Sequence, residues 1–248
     1  MAHHTVRQSY RDLVDRINRC PQGAPPSELL YRILEMLFSE REAKLVAELP
    51  IKPFTAERAA KLWKMPVAEA RAALDELASR AVLLDIENEG TTTYVLPPPM
   101  AGFFEFSLMR VRTDIDQKLL SELFHQYLNV EDDFIKALFT KGETQLGRAF
   151  VCEPSLPKEP SLHVLDYERA SHIAETADHI GVGVCYCRHK MEHMGHACSA
   201  PMEICMTFAN TAASLTRHGH ARSIDSVECL DLLQEARDRG LVQFGENV

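Results

Sequence analysis

The sequence has no run approaching the roughly 20 consecutive apolar residues of a membrane-spanning helix. It also has no early apolar stretch framed by basic residues and a small-residue cleavage site. A cytoplasmic protein with no membrane partner is therefore expected. Basic charge is short too: 27 Lys and Arg stand against 36 Asp and Glu, a formal net charge of −9. Such a chain lacks the broad positive footprint that drives non-specific nucleic-acid binding. It has no Gly-rich phosphate loop, nucleophile elbow or paired-carboxylate signature, so no ordinary active site is on offer. No fixed-period repeat or low-complexity tract is present. The 46% hydrophobic content, spread over 248 residues, is enough for one large or two ordinary domains without covalent staples.

Cysteine is what the sequence does have, and it is concentrated. Four of seven cysteines, Cys185, Cys187, Cys198 and Cys205, fall inside the stretch CYCRHKMEHMGHACSAPMEIC. In a reducing compartment thiols persist as free thiols or metal ligands, so shared ligation explains this crowding better than a disulfide framework. Cys20, Cys152 and Cys229 stand alone among apolar neighbours and read as buried hydrophobes. The acidic excess lies in the same half: residues 111–248 carry 13 Lys and Arg against 21 Asp and Glu.

Helical spacing of Val6, Tyr10, Leu13, Val14 and Ile17 predicts a helix over 5–19, and a second begins near Ser27. Ser39 and Glu42 form a capping-box pattern that restarts a helix toward Leu49. Thr55 and Pro66 then open two helices, and LLDIENEGTTTYVL alternates around a turn at Glu89 and Gly90. Helix, turn, helix and hairpin is the order of a winged helix-turn-helix. Its second helix carries Glu69, Arg71, Asp75, Glu76 and Arg80 and is slightly acidic, so protein packing is the better reading and DNA the lesser partner. Phe103, Phe104 and Phe106 read as core, followed by helices over about 113–128 and 130–141, the latter carrying Phe134 and Phe139. A strand is expected at 148–152, a loop from Pro154, and a strand after His163 leading into a helix at 167–179. GVGVCYCR reads as extended, PMEICMTFAN as a short helix opened by Pro201, residues 226–239 as a capped helix, and LVQFGENV as a last strand.

If Cys185 and Cys187 lie in an extended segment, their side chains point the same way with Cα atoms roughly 6–7 Å apart. That suits two corners of a cubane cluster, whereas a single zinc more often takes the tighter C-x2–4-C turn. Cys198 and Cys205 complete four thiolates, with Arg188 as a compensating cation and free N–H groups of the Pro201 helix facing the centre. His189, His193 and His196 lie between the second and third cysteines, and they supply the rival: zinc with mixed sulfur and nitrogen ligands.

The pattern C-x-C-R, a ten-residue gap and C-x2-P-x-E-x-C, carried by Cys185, Cys187, Arg188, Cys198, Pro201, Glu203 and Cys205, resembles 4Fe–4S ferredoxin-type iron–sulfur-binding proteins of anaerobes and archaea. The TTYVLPPPMAGFFEF segment is similar as well. The resemblance implies one 4Fe–4S cluster on the four cysteines, with Arg188 and Glu203 around it. The family commonly continues into a ferredoxin module with C-x2-C-x2-C motifs. This sequence has none, so the implied partner is that missing module or a separate redox protein.

The expected fold is α+β and mostly helical: a winged-helix-like domain over 1–100, a helical connector over 101–160, and an α/β cysteine-cluster domain over 161–248. The expected function is electron transfer or redox sensing through one 4Fe–4S centre, as an oxidoreductase component rather than a stand-alone enzyme. The alternatives are a redox- or metal-responsive winged-helix transcriptional regulator and a zinc-stabilised interaction scaffold. Apolar faces on the N-terminal helices suggest a homodimer.

Overall fold

The computed structural model describes residues 2–20, 22–140, 147–155 and 169–246, without the side chains of 2–7 and 139–140. The expected strand after His163, most of the loop from Pro154 and the side chains of Val6 and Phe139 lie outside the described residues. The chain is α+β, with helices dominating and only small antiparallel sheets.

Helices α1 (Ala2–Ile17), α2 (Glu28–Leu37) and α3 (Glu40–Ala47) start the fold. Ser27 caps α2 by accepting the Leu30 N–H, and its Leu30, Ile33, Leu34 and Leu37 stripe is buried, so cap and apolar spacing agree on the helix. The Ser39–Glu42 capping box starts α3 as expected. Arg16, fully enclosed near the end of α1, donates from Nε to the Leu49 carbonyl at 2.9 Å and from Nη2 to the Pro50 carbonyl at 2.6 Å. It thereby satisfies two carbonyls of the turn that follows α3. Tyr10, Leu13, Val14 and Ile17 are all buried inside this core. The apolar face from which a dimer was expected is therefore spent within the chain.

Next come β1 (Phe54–Thr55), α4 (Ala56–Trp63), α5 (Val67–Ser79), β2 (Leu84–Asn88) and β3 (Thr91–Val95), with strand order β1-β3-β2. Asn88 pairs with Thr91, leaving Glu89 and Gly90 as a two-residue turn with φ of 47° and 79°. Positive φ at both positions is the geometry that matches the twist of a hairpin.

The segment after Pro98 passes through a π turn at Pro99–Phe103 into α6 (Phe104–Phe106), then α7 (Gln117–His125), a second π turn at Gln126–Val130 and α8 (Asp132–Thr140). Phe103, Phe104 and Phe106 are buried, as their composition suggested. Ring centroids lie 4.9 Å apart for Phe103–Phe104, 5.0 Å for Phe104–Phe124 and 5.2 Å for Tyr127–Phe134. Through them one continuous core joins the first hundred residues to these later helices.

The last part holds β4 (Gly147–Ala149), α9 (Ala170–Thr176), β5 (Ile180–Val184), α10 (Tyr186–His193), β6 (Glu203–Phe208), α11 (Ala209–Arg217), β7 (Arg222–Ile224), α12 (Ser226–Asp238) and β8 (Phe244–Glu246). β5 is central in a β6-β5-β7 sheet, and β4 pairs with β8. A second core of Ala174, Ile180, Val182, Ile224, Cys229 and Leu233 lies between this sheet and α9 and α12.

Two local expectations are corrected. The extended run ends at Val184, and α10 begins at Tyr186 with Cys185 as its N-cap, so the first two cysteines ride a strand-to-helix junction rather than a strand. Residues 203–208 form β6, not a helix. Its pairing with β5, from Ile180 opposite Phe208 to Val184 opposite Glu203, outweighs the start signal of Pro201.

Candidate metal centre

β5 delivers its chain directly to the site. A Cβ on Gly183 would stand 2.9 Å from Met109 Cε and 3.0 Å from the His220 carbonyl, so the strand passes where only glycine fits. Val184 then donates to the Met109 carbonyl at 3.0 Å and Cys185 to the Met202 carbonyl at 2.7 Å. These bonds fix the backbone from which α10 departs.

Arg188, three residues past Cys185, donates from Nη1 to Cys185 Sγ at 3.0 Å and also bonds Cys198. Cys187 shares a hydrogen bond with Cys185. Cys205 lies on β6 opposite Gly183 and feels the charge of both Cys185 and Arg188. Arg188 thus contacts Cys185 and Cys198, Cys187 is linked through Cys185, and Cys205 feels the guanidinium's charge from the adjoining strand. Cys185 is buried, Cys205 half-buried, and Cys187 and Cys198 are exposed.

Their thiols differ in proton affinity. The Cys187 hydrogen bond, followed by the Arg188 backbone and charge, pulls Cys185 down to about 5 despite burial. Cys187 moves up, chiefly because it donates to Cys185. Cys198 is lowered by the Ala200 backbone N–H and by Arg188. Burial, with Glu105 and Cys185 nearby, pushes Cys205 up. Near neutral pH the site thus holds a thiolate at Cys185 stabilised by a neighbouring thiol and a cation. The thiolate is the form that ligates metal.

Two carboxyls close off the inner side. Burial, reinforced by Glu246 and Cys185, raises Glu105 to about 8. Tyr186 sits beside it, deeply buried and raised by desolvation. Glu246 Oε2 and Arg188 Nε are enclosed with no hydrogen-bond partner among the described residues. Sequence reasoning missed Glu105. A lone carboxylate inside FFEF was the available signal, and the surrounding aromatics masked it.

The other sequence-predicted residues go elsewhere. His189 is buried with Nδ1 2.7 Å from the Leu108 carbonyl, and its ring lies 4.9 Å from that of His193. Burial, then His189, lowers the His193 pKa, and His193 Nε2 is enclosed without a partner among the described residues. His196 is exposed beyond the end of α10, and Glu203 is exposed on β6 within reach of the Arg222 charge.

The donor set suits a soft metal or an iron–sulfur core, since all four convergent side chains are thiols. Arg188 Nε and Glu246 Oε2 nearby are buried polar atoms without a hydrogen-bond partner among the described residues. Among the described residues, no three His, Cys, Asp or Glu side chains already surround one point closely enough to hold a single ion. Neighbouring thiols turned toward Arg188 and toward each other need rotation to meet a common centre. No family model, curated protein or solved structure matches the chain.

Proposed function

We propose that Cys185, Cys187, Cys198 and Cys205 bind one 4Fe–4S cluster and that the protein handles electrons for a redox partner. The observation that carries this reading is the single guanidinium of Arg188 shared by Cys185 and Cys198, with Cys187 bonded to Cys185 and Cys205 on the adjoining strand. Such a cluster supplies one-electron transfer when bound. The chain's own residues supply four thiolates, a cation that stabilises their charge, and a buried wall of Glu105, Tyr186 and Glu246 that limits water. Four cysteinyl ligands leave no open coordination position, which favours electron handling over catalysis at the metal.

The helix pair α4 and α5 with the β2–β3 hairpin is read as a winged-helix-like module used for packing. Two arginines of its second helix face carboxylates: Arg71 lies 3.6 Å from Glu57, and Arg80, at the end of α5, pairs with Glu42. The β2 strand is also clamped by its Asp85, which accepts from Ser214 Oγ at 2.5 Å and Arg217 Nη1 at 2.6 Å, while His218 Nε2 lies 3.0 Å away. A hairpin held this way favours a structural role over phosphate contact.

Purification without oxygen followed by iron, sulfide and zinc assay tests the reading. About four iron and four sulfide per chain are expected. Serine at any of the four cysteines should reduce loading, whereas serine at Cys20 or Cys229 should not. A colourless protein holding one zinc and no sulfide overturns the cluster in favour of a zinc-braced scaffold.

A further inference from the structure

The first turns of α10 repeat one device twice. Cys185 is followed three residues on by Arg188, and Cys187 three residues on by Lys190. Residues three apart on a helix share a face, so each thiol has a cation in reach. The first pair is closed, with Arg188 on Cys185. The second is set differently: Lys190 is 4% exposed, and its Nζ donates to Asn129 Oδ1 on the π turn after α7.

A buried ammonium ordinarily has a carboxylate beside it, because removing it from water costs several kcal/mol. Among the described residues Lys190 forms no ion pair with Asp or Glu. Its partner amide is neutral and uses one of three N–H donors. Burial works against its charge, and α10 sets Cys187 one turn before it on the helix. Nothing in the α7–α10 contact calls for a cation here, since methionine or leucine would fill the same volume more cheaply.

We propose that Lys190 is a built-in counter-charge of the cysteine site, a buried ammonium positioned by Asn129 to stabilise the negative charge that sulfur ligation places on Cys187 and its neighbours. This rests on the reading of the four cysteines as a metal site. Four thiolates around a divalent ion or an oxidised cubane core leave about two net negative charges. Arg188 and Lys190 together offset that charge from inside the protein. The site then needs no external cation and favours the reduced, more negative state of a bound cluster.

The test compares the full chain with Lys190→Met and Lys190→Arg. Cobalt(II) titration of the metal-free protein reads thiolate binding through its sulfur-to-cobalt absorption. Loss of the ammonium should weaken cobalt binding on the order of tenfold, and arginine should recover most of it. After reconstitution with iron and sulfide, Lys190→Met should have a lower midpoint potential than the wild type at equal iron content. Lys190→Gln, which keeps a hydrogen-bonding group for Asn129, serves as the neutral variant if methionine prevents folding. Equal cobalt affinity and equal potential in a folded neutral variant overturn the counter-charge. A wild-type chain that binds cobalt through thiolates but assembles no cluster overturns the cluster reading alone, and the cobalt comparison still decides on Lys190. A wild-type chain showing neither signal overturns both.

Discussion

Arg188 and Cys187 act on the same sulfur, and the effect of each can be measured. The Cys187 hydrogen bond is the largest influence holding Cys185 down, ahead of the Arg188 backbone and charge. In the metal-free chain, Cys187→Ala and Arg188→Met should each raise the pH at which Cys185 is alkylated, since each removes a group that favours the thiolate. An unchanged profile in either variant would remove that residue from the groups that stabilise the thiolate. Arg188→Met should raise the Cys198 profile as well, which Cys187→Ala should leave unchanged. The four cysteines and Arg188 drew attention in the sequence, because four thiols fall in one stretch, and the structure puts Arg188 against Cys185. Glu105 and Lys190 drew none. A charged letter in a short helix reads as a solvated position, and only the packing of α10 against α6 and α7 turns these two inward.

At the level of elements, local signals were strong where cap and spacing agreed. Ser27 and Ser39 marked α2 and α3, and Glu89 and Gly90 marked the hairpin. They failed at residues 203–208, where Pro201 suggested a helix and a long-range partner decided the matter. The β5 strand, separated in sequence by all of α10, offers its edge to β6. Gly90 has φ +79° and open space around the position of a Cβ, so Gly90→Val pays only for its backbone. Chemical denaturation should show a loss of roughly 1–2 kcal/mol. Phe104 touches Phe103, Phe124, Tyr127 and Phe134. Phe104→Ala should cost about 3–5 kcal/mol by the same measurement, and a loss below 1 kcal/mol would mean that the aromatic cluster is not the keystone of the main core.

Across the whole molecule, the seam between the hairpin sheet and the last sheet is polar and acid-sensitive. Asp85, exposed by only 7%, joins β2 to α11, and His220 Nε2 lies 3.0 Å from the Ser79 carbonyl at the end of α5. Asp85→Ala should lower stability by about 2 kcal/mol, since Ser214 and Arg217 lose their shared acceptor. Burial brings His220 from its ordinary 6.5 down to about 4, with Arg110, Arg112 and His218 opposing a further positive charge. Between those values the unfolded chain binds the proton and the folded chain does not, so stability falls as pH drops from 6.5 toward 4, by at most roughly 3 kcal/mol. Asp85 lies below its ordinary 3.8, so its contribution persists above that value and disappears only at lower pH. His220→Gln should flatten the decline between pH 6.5 and 4 in equilibrium unfolding, and an unchanged slope would assign the acid sensitivity elsewhere. The cysteines themselves divide along another line. Cys205 is locked in a ladder with β5, whereas Cys198 hangs on the stretch between α10 and β6, outside helix and strand. If the four cysteines take a metal as proposed, the sulfur outside helix and strand should be the one whose surroundings change most on loading, and a protease that clips the 194–200 stretch in the empty protein should clip it more slowly once the metal is bound.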